Sequence, residues 1–274
     1  LACTFAAIGV VALPMTPIQA LAATVYWDSD ANAGNNNVND GSGLGGTGFW
    51  NLSNVNWWNG AAVTDQLWNN GNLDTAVFWG SAGTVTLGDN ITAGGLTFNT
   101  GGYTIAGGGN TLTLGGAAPA ITLNSGASAS ILADLDGITG LTANLGTGTL
   151  TLGGTNVYSG GTVVNGSLGG TLRLASTSAL GVTSSNVTLN GGTLSLGTDT
   201  SVNAYNVTVA RTSTIVADRA TAGVGITHTL GTLNIGGQQL NIAGGSNVTS
   251  GTAGVQFGAT TLTAHGTTFN VGAN

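Results

Sequence analysis

Residues 111–126 read TLTLGGAAPAITLNSG, and this stretch decides the fold. Each of its two apolar segments places a threonine between two branched apolar residues, as in Leu112-Thr113-Leu114. Successive side chains of a β-strand point to opposite faces, so the apolar pair lies on one face and the threonine on the other. Strands this short cannot form a stable sheet alone. We therefore expect them to stack on further copies of themselves.

The same apolar-polar-apolar unit recurs from residue 84 onward, mostly at intervals of about 7 to 15 residues, which is the pattern of an internal repeat. Its copies are Val85-Thr86-Leu87, Leu96-Thr97-Phe98, Tyr103-Thr104-Ile105, Leu112-Thr113-Leu114, Ile121-Thr122-Leu123, Leu150-Thr151-Leu152, Leu172-Arg173-Leu174, Val187-Thr188-Leu189, Leu194-Ser195-Leu196, Val207-Thr208-Val209, Leu233-Asn234-Ile235, Leu240-Asn241-Ile242 and Val255-Gln256-Phe257. Two or three units per turn give coils of about 20 to 25 residues, and about eight such coils fill residues 84–274. The sequence predicts an all-β fold, a right-handed parallel β-helix, or β-solenoid. A β-sandwich is the competing architecture, but its strands are longer.

The composition agrees with an all-β fold. The 274 residues include 49 glycines, 41% are hydrophobic and only 5% are charged, whereas disordered chains are polar and highly charged. Every acid is Asp and every base is Arg, so the good helix formers Glu and Lys are absent. The net charge of −7 argues against nucleic acid as a partner, because phosphate binding needs clustered cations.

The first residues have the pattern of an export signal. An apolar stretch over residues 5–13 is followed by Ala20-Leu21-Ala22, a small-x-small sequence that is typical of cleavage sites. A retained membrane anchor is one alternative, but the stretch is shorter than the ~20 residues of a span. A lipoprotein signal that is modified at Cys3 is another alternative. In such signals the apolar stretch precedes the cysteine, whereas here it follows Cys3. We therefore predict a signal peptide at residues 1–23 and an exported mature segment without a transmembrane span.

Residues 24–83 differ from the repeats that follow. They contain all six tryptophans, Asn-rich stretches and five of the ten aspartates, and a sixth aspartate follows at residue 89. The first coil of a solenoid exposes unpaired strand edges and an open core, and large aromatic rings can close that end. We therefore predict a Trp/Asn/Asp-rich head or N-terminal cap at residues 24–83, followed by solenoid repeats at residues 84–274. The alternative role of the head is glycan stacking by Trp50, Trp57, Trp58 and Trp68.

Residues 150–166 read LTLGGTNVYSGGTVVNG and resemble the autotransporter-associated β-strand repeat of bacterial surface proteins. The head is similar to the segment that often precedes such repeats, through Trp27-Asp28, Gly48-Phe49-Trp50, Asn56-Trp57 and Asp74-Thr75-Ala76-Val77-Phe78. The resemblance implies a right-handed β-helical passenger that is displayed at the cell surface. This sequence departs from the family's pattern in two ways. Only one clear copy of the long motif is present, and the lysine that usually lies upstream of the motif is absent. An anchor or translocator, and further repeats, are expected outside this chain.

The stretch Asp28-Ser29-Asp30-Ala31-Asn32 resembles the start of a calcium-binding loop, in which alternate oxygen-bearing side chains converge on the ion. Ala33 stands where such a loop has glycine, and Asn39 stands where it has a bidentate acid, which Asp40 could replace. The candidate calcium ligands are Asp28, Asp30, Asn32 and Asp40. A solvated, Asx-rich loop is the alternative. No other cofactor is predicted.

Asp134 and Asp136 are the candidate residues for catalysis. They lie two positions apart on a predicted strand, so both carboxylates project from one face about 7 Å apart, a separation compatible with a glycosidase pair. No further acid, histidine or base lies nearby in the sequence, and Gly137 suggests a turn. His228 and His265 are the only histidines, too few for a closed metal site. We therefore predict no catalytic residues.

The leading hypothesis for function is a non-enzymatic passenger or stalk segment that acts in surface display or adhesion. A carbohydrate-binding module that uses the Trp-rich head is the second hypothesis. A polysaccharide-active enzyme that uses Asp134 and Asp136 is the third. The expected partner is an extracellular glycan or the surface of a host or neighbouring cell. The expected location is the cell surface, the outer membrane or the extracellular space.

Overall fold

The structure, a computed structural model, describes residues 22–124, 126–166 and 169–272. The predicted signal peptide lies outside these ranges except for Ala22 and Ala23. The described residues form one 3₁₀-helix, Ala33–Asn35, and 26 strands. The strands, numbered in chain order, are β1 (Thr24–Trp27), β2 (Gly48–Trp50), β3 (Trp57–Trp58), β4 (Thr75–Phe78), β5 (Thr84–Leu87), β6 (Ile91–Ala93), β7 (Gly95–Phe98), β8 (Tyr103–Ala106), β9 (Thr111–Leu114), β10 (Ala120–Leu123), β11 (Ala129–Ile131), β12 (Asp134–Asp136), β13 (Leu141–Asn144), β14 (Thr149–Leu152), β15 (Thr162–Asn165), β16 (Thr171–Leu174), β17 (Asn186–Asn190), β18 (Thr193–Gly197), β19 (Asn206–Arg211), β20 (Ser213–Asp218), β21 (Gly223–Thr229), β22 (Leu233–Ile235), β23 (Gln239–Gly244), β24 (Val248–Gln256), β25 (Thr260–Leu262) and β26 (Thr268–Val271).

Two long sheets run the length of the molecule. Sheet 1 has the order β25-β22-β19-β17-β15-β13-β10-β7-β4-β1-β3, and sheet 2 has the order β2-β5-β8-β11-β14-β16-β18-β20-β23-β26. Two smaller sheets, β12-β9-β6 and β21-β24, cover part of a third side. The chain visits sheet 1 and sheet 2 in turn, and every paired strand is parallel to its neighbour except β3. This is a parallel β-solenoid, so the predicted fold class is confirmed and the sandwich is excluded.

The coil length follows from the strand register of sheet 1. From β4 onward, paired residues on successive coils are 20 to 27 positions apart, close to the predicted length. Thr24 of β1 pairs with Thr75 of β4, a separation of 51 positions. The excess in this first coil holds β2, β3 and the long loops of the head.

The core is a stack of apolar pairs. In β9, Leu112 and Leu114 are buried whereas Thr111 and Thr113 are partly exposed, and the same alternation holds in β10, β14 and β16. The buried residues form one continuous hydrophobic cluster from Val25 to Leu240. Each fully buried aliphatic side chain contributes about 1.5–3 kcal/mol relative to its exposed state.

Gly192 shows why the corners need glycine. Its φ of +74° lies in the left-handed region that is costly for other residues. A Cβ atom at this position would also lie 2.6 Å from the Cα of Gly166 on the preceding coil. Adjacent coils can therefore approach at this corner only because neither residue has a side chain.

Arg173 in β16 connects several coils through hydrogen bonds. Its Nη1 donates to Oδ2 of Asp218 at 2.7 Å and to Oγ of Ser195 at 3.2 Å, and its Nη2 donates to the carbonyl of Arg219 at 3.0 Å. The other oxygen of Asp218 accepts from the main-chain N–H of Asn247 at 3.0 Å. Asp218 is buried. Removing one of these partners would leave its carboxylate unpaired in the interior, which strongly destabilises a folded protein.

His228 of β21 is the second buried ionisable group in this region. Its Nε2 donates to the carbonyl oxygen of Asp218 at 2.8 Å, and its Nδ1 accepts from the main-chain N–H of Val202 at 3.4 Å. The Nδ1 contact requires the neutral ring, because a protonated imidazole donates from both nitrogens and accepts at neither. Burial lowers the pKa of His228, and the charge of Arg219 lowers it further. The hydrogen bond to Asp218 and the negative charge of Asp218 raise the pKa, but the effect of burial is larger. His228 is therefore a buried structural residue, whereas His265 is exposed.

The neutral state of His228 leads to a prediction about pH. Because its pKa is lower in the folded chain than the ordinary 6.5, the unfolded chain binds the extra proton first. We expect the free energy of unfolding to fall as the pH drops below about 6.5, by up to about 1.4 kcal/mol per pH unit from this one group. His228→Gln should flatten that slope in urea unfolding monitored by circular dichroism. His265→Gln is the matched control and should keep the wild-type slope. An unchanged slope in His228→Gln would contradict this assignment.

Candidate functional site

The N-terminal end of the solenoid is closed by the tryptophans of the head. β3 pairs antiparallel with the free edge of β1, with Trp57 opposite Trp27 and Trp58 opposite Tyr26. The loop that follows returns to β3, where the main-chain groups of Gln66 and Trp57 bond to each other. The edge that β1 would otherwise expose is therefore paired, which is how natural sheets prevent unwanted association. The predicted capping region is confirmed.

The rings of the cap continue into the core as an aromatic column. The centroids of Trp50, Trp57 and Trp68 lie 4.8–4.9 Å apart, at interplanar angles of 53–80°. Trp50 and Trp57 both contact Phe78, which stacks on Phe98 of the next coil at 4.9 Å. Tilted and edge-on contacts of this kind stabilise beyond simple area burial, by about 0.5–1.5 kcal/mol per pair.

This geometry corrects the glycan-stacking interpretation of Trp50, Trp57, Trp58 and Trp68. Stacking on a sugar needs exposed and roughly coplanar rings, whereas all four residues are at most 5% exposed. Trp50, Trp57 and Trp68 are also steeply tilted to one another. Trp58 also donates its indole N–H to the carbonyl of Ala62. Their ring faces are occupied by packing, because closing the core at this end requires large apolar groups.

The proposed calcium loop is divided among separate turns. Asp30 accepts hydrogen bonds from the main chain of Asn32 and the side chain of Asn35, and Asp40 accepts two from Ser42. Asp30 and Asp40 line one surface cavity of about 450 Å³. Asp28, in contrast, is fully buried. Asp28, Asp30, Asn32 and Asp40 therefore do not converge as an EF-hand-type loop would require.

Asp28 instead lies beside Asp65 and Asn36, two residues that the sequence analysis did not select. The side-chain amide of Asn36 donates to Oδ2 of Asp28 at 2.6 Å, and the carboxyl group of Asp65 is near enough for its charge to act on Asp28. Burial raises the pKa of Asp28 to about 6, and the charges of Asp65 and Asp30 contribute to the rise. Burial also raises the pKa of Asp65. No sequence pattern predicts this group, because Asp65 follows Asp28 by 37 positions and belongs to a different loop.

Asp134 and Asp136 are placed on β12 as predicted, and both are exposed on either side of the buried Leu135. Asp134 accepts from the main-chain N–H of Thr155 at 2.6 Å, and Asp136 accepts from that of Gly137 at 2.7 Å. Only Asp136 lines the shallow cavity at this corner. Carboxylates on one strand point the same way, whereas a glycosidase needs two that face each other across the substrate.

Nowhere in residues 22–124, 126–166 and 169–272 do three or more His, Cys, Asp or Glu side chains form a group that could hold a metal ion. In the same part of the chain, no helix has both the length and the apolar character required to cross a membrane.

Comparison with known proteins identifies one curated relative at high significance. The chain is similar to the adhesin BmaC autotransporter of Brucella suis biovar 1 (strain 1330), with 40% identity over 174 residues. The alignment covers 62% of this chain and 5% of the relative, so the chain spans a small part of that protein's length. Together with the solenoid fold, this confirms the resemblance to an autotransporter passenger. No family model matches the chain, and no solved structure matches it.

The structural role of the cap can be tested with Trp57. We expect Trp57→Ala to lower the free energy of unfolding by about 3–5 kcal/mol, because it leaves a cavity at the centre of the ring cluster. Phe49→Ala is the matched control, since Phe49 is an aromatic residue of the neighbouring β2 that is 58% exposed. The control should cost less than about 1 kcal/mol in the same urea unfolding experiment. Equal effects of the two changes would show that the tryptophans do not form a buried cap.

Proposed function

We propose that this chain is a segment of an adhesive autotransporter passenger, in which the solenoid is a rigid spacer and the loops of the head make the adhesive contact. The observation that carries the proposal is the 40% identity to an adhesin autotransporter, combined with the parallel solenoid fold. The aligned part is 5% of that relative, so the similarity alone does not assign adhesion to this segment. Adhesion by this segment is our proposal.

The solenoid suits a spacer because its shape follows from backbone pairing. Each coil adds one strand to each long sheet, at about 4.8 Å per coil, so length is gained without changing the cross-section. The outward face carries threonine and asparagine rather than charge. Side-chain amides continue the stacking there, since Asn190 donates to Asn165 at 2.8 Å and Asn165 donates to Asn144 at 2.9 Å. These contacts favour a stiff, weakly charged rod.

The loops of the head suit an adhesive contact because they expose apolar side chains. The exposed apolar residues between β1 and β4 are Val38, Phe49, Leu52, Val55, Val63 and Leu67. Leu52 and Leu67 line a surface cavity of about 490 Å³ together with the amide side chains of Gln66, Asn69 and Asn72. Apolar groups ringed by hydrogen-bonding side chains are typical of recognition surfaces. The proposed partner is a cell-surface protein or glycan, and the proposed location is outside the cell.

The exposed aspartates of β12 favour this proposal over an enzyme. Asp134 and Asp136 engage main-chain N–H groups beside them, and they do not face each other across a cleft. We therefore propose a role without catalysis for this segment.

The adhesive role can be tested with beads coated with the purified chain. We expect these beads to bind cultured mammalian cells or bacterial cells more than albumin-coated beads do. Leu52→Asp or Leu67→Asp should lower binding about tenfold, which corresponds to about 1.4 kcal/mol of contact free energy. Ile138→Asp is the matched control, because Ile138 is an apolar residue of the solenoid that is 86% exposed. It should bind as the unmodified chain does.

Two results would contradict the proposal. Binding of the unmodified chain at the level of albumin would remove the adhesive role of this segment. An equal loss in Leu67→Asp and Ile138→Asp would show that the head loops are not the contact surface.

A further inference from the structure

We propose that Asp28, Asp65 and Asn36 form a calcium-binding site in the head. The site differs from the loop suggested by the sequence, since Asn36 and Asp65 take part and Asn32 and Asp40 do not. The inference does not depend on the adhesive role of the chain.

Asp28 is the centre of the group. Its main chain is fixed because its N–H donates to the carbonyl of Asn56 at 2.9 Å and it forms a β-bridge with Gly45. Its side chain has no solvent-accessible surface. The two carboxylate oxygens accept from the main-chain N–H of Asp30 at 3.2 Å and from the side chain of Asn36 at 2.6 Å.

Three further oxygens around Asp28 are buried without a donor. Both carboxylate oxygens of Asp65 and the Oδ1 of Asn36 have less than 1 Å² of accessible surface each, and no hydrogen bond reaches them from the described residues. The main-chain N–H of Ala33 points toward Asp65 but lies outside normal hydrogen-bond geometry. Buried acceptors of this kind are rare in native proteins, and each costs about 1–3 kcal/mol when it is left unsatisfied.

A cation accounts for these oxygens better than another hydrogen bond does. Apart from the Asn36 amide, which already donates to Asp28, the group offers only acceptors. Two of its members are carboxylates, and Asp30 adds a third negative charge beside them. Hydrogen bonding between Asp28 and Asp65 needs a proton on one of them, so with both ionised the contact is repulsive. A positive ion between them converts this repulsion into attraction and supplies a partner for all three unsatisfied oxygens.

The ligand set favours calcium among the common metal ions. It consists of carboxylate and amide oxygens, without the nitrogen or sulfur atoms that zinc and copper prefer. Calcium accepts six to eight oxygens in irregular geometry, and water can fill the positions that the protein leaves open. Magnesium requires a small, regular octahedron and suits this set less well.

The position of the group gives the ion a structural role. Asp28 directly follows Trp27 in the first strand, and Asp65 directly precedes Gln66, which bonds to the main chain of Trp57. An ion bound here ties two loops of the head, the one after β1 and the one after β3, to the edge that the cap covers. It also lies close to two buried indoles, so terbium in the same site should receive energy from excited tryptophan.

Calcium titration of the purified chain at neutral pH, after treatment with EGTA, tests the site. We expect one calcium ion to bind with a Kd of about 10⁻⁴ to 10⁻³ M, the range of extracellular modules. Tm should rise by several degrees in millimolar calcium, and tryptophan-sensitised terbium luminescence should appear and be displaced by calcium. Asp65→Asn removes one charge but keeps the side-chain shape, and should weaken binding at least about tenfold.

Asp40→Asn is the matched control, because Asp40 lies in the same head, belongs to the sequence-derived loop and is not part of the group. It should bind calcium as the unmodified chain does. Near-ultraviolet circular dichroism checks that the cap is folded in each variant. If Asp65→Asn does not fold, Asn36→Ala takes its place and should also weaken binding.

Two outcomes would overturn the proposal. The first is an unmodified chain whose Tm responds to pH but not to calcium, which would show that a proton joins the two carboxyl groups. The second is a loss of binding in Asp40→Asn that equals the loss in Asp65→Asn, which would place the ion in the loop instead.

Discussion

The stacking of short parallel strands in register is the constraint on which the rest of this structure depends. Three- or four-residue strands bury one apolar pair each, too little to be stable alone. Stability comes only when the same pair lies above and below it on the neighbouring coils, as Leu96 and Ile121 do. This requirement fixes the coil length, places threonine on the outer face and brings corners such as Gly166 and Gly192 into contact.

A stack has ends, and the end at β1 dictates the design of the head. Pairing with β3 covers the strand edge, while the indoles fill the core that the missing coil would have filled. The extra residues of the first coil, between β1 and β4, supply both β3 and the indoles. They also supply the loops that carry the exposed leucines and the buried carboxylates. Closure of the core, the proposed adhesion and the proposed ion binding therefore all arise from one segment, residues 28–74. The coils of the solenoid, in contrast, repeat one basic structure.

The sequence could predict the features that depend on local alternation. The apolar-polar-apolar units indicated the strands, their faces and the coil length, and the clustering of tryptophan indicated a cap. It could not predict contacts between distant loops: Asp65 reaches Asp28 through the return of the chain to the β1 edge. It also could not predict burial that depends on a neighbouring coil, as for His228, which accepts from the main chain of Val202 on the preceding coil. The tryptophans were ambiguous because burial and sugar stacking favour the same residue type.

Cysteine cross-linking tests the register most directly. Thr97 and Thr122 are partners on adjacent strands of sheet 1, so their Cα atoms lie within the 4.4–6.8 Å range of a disulfide. In a Cys3→Ser background, the pair Thr97→Cys and Thr122→Cys should form a disulfide on mild oxidation, as detected by mass spectrometry. The pair Thr97→Cys and Thr113→Cys, which lies on different sheets, should stay reduced. Cross-linking of the second pair in place of the first would contradict the parallel stack.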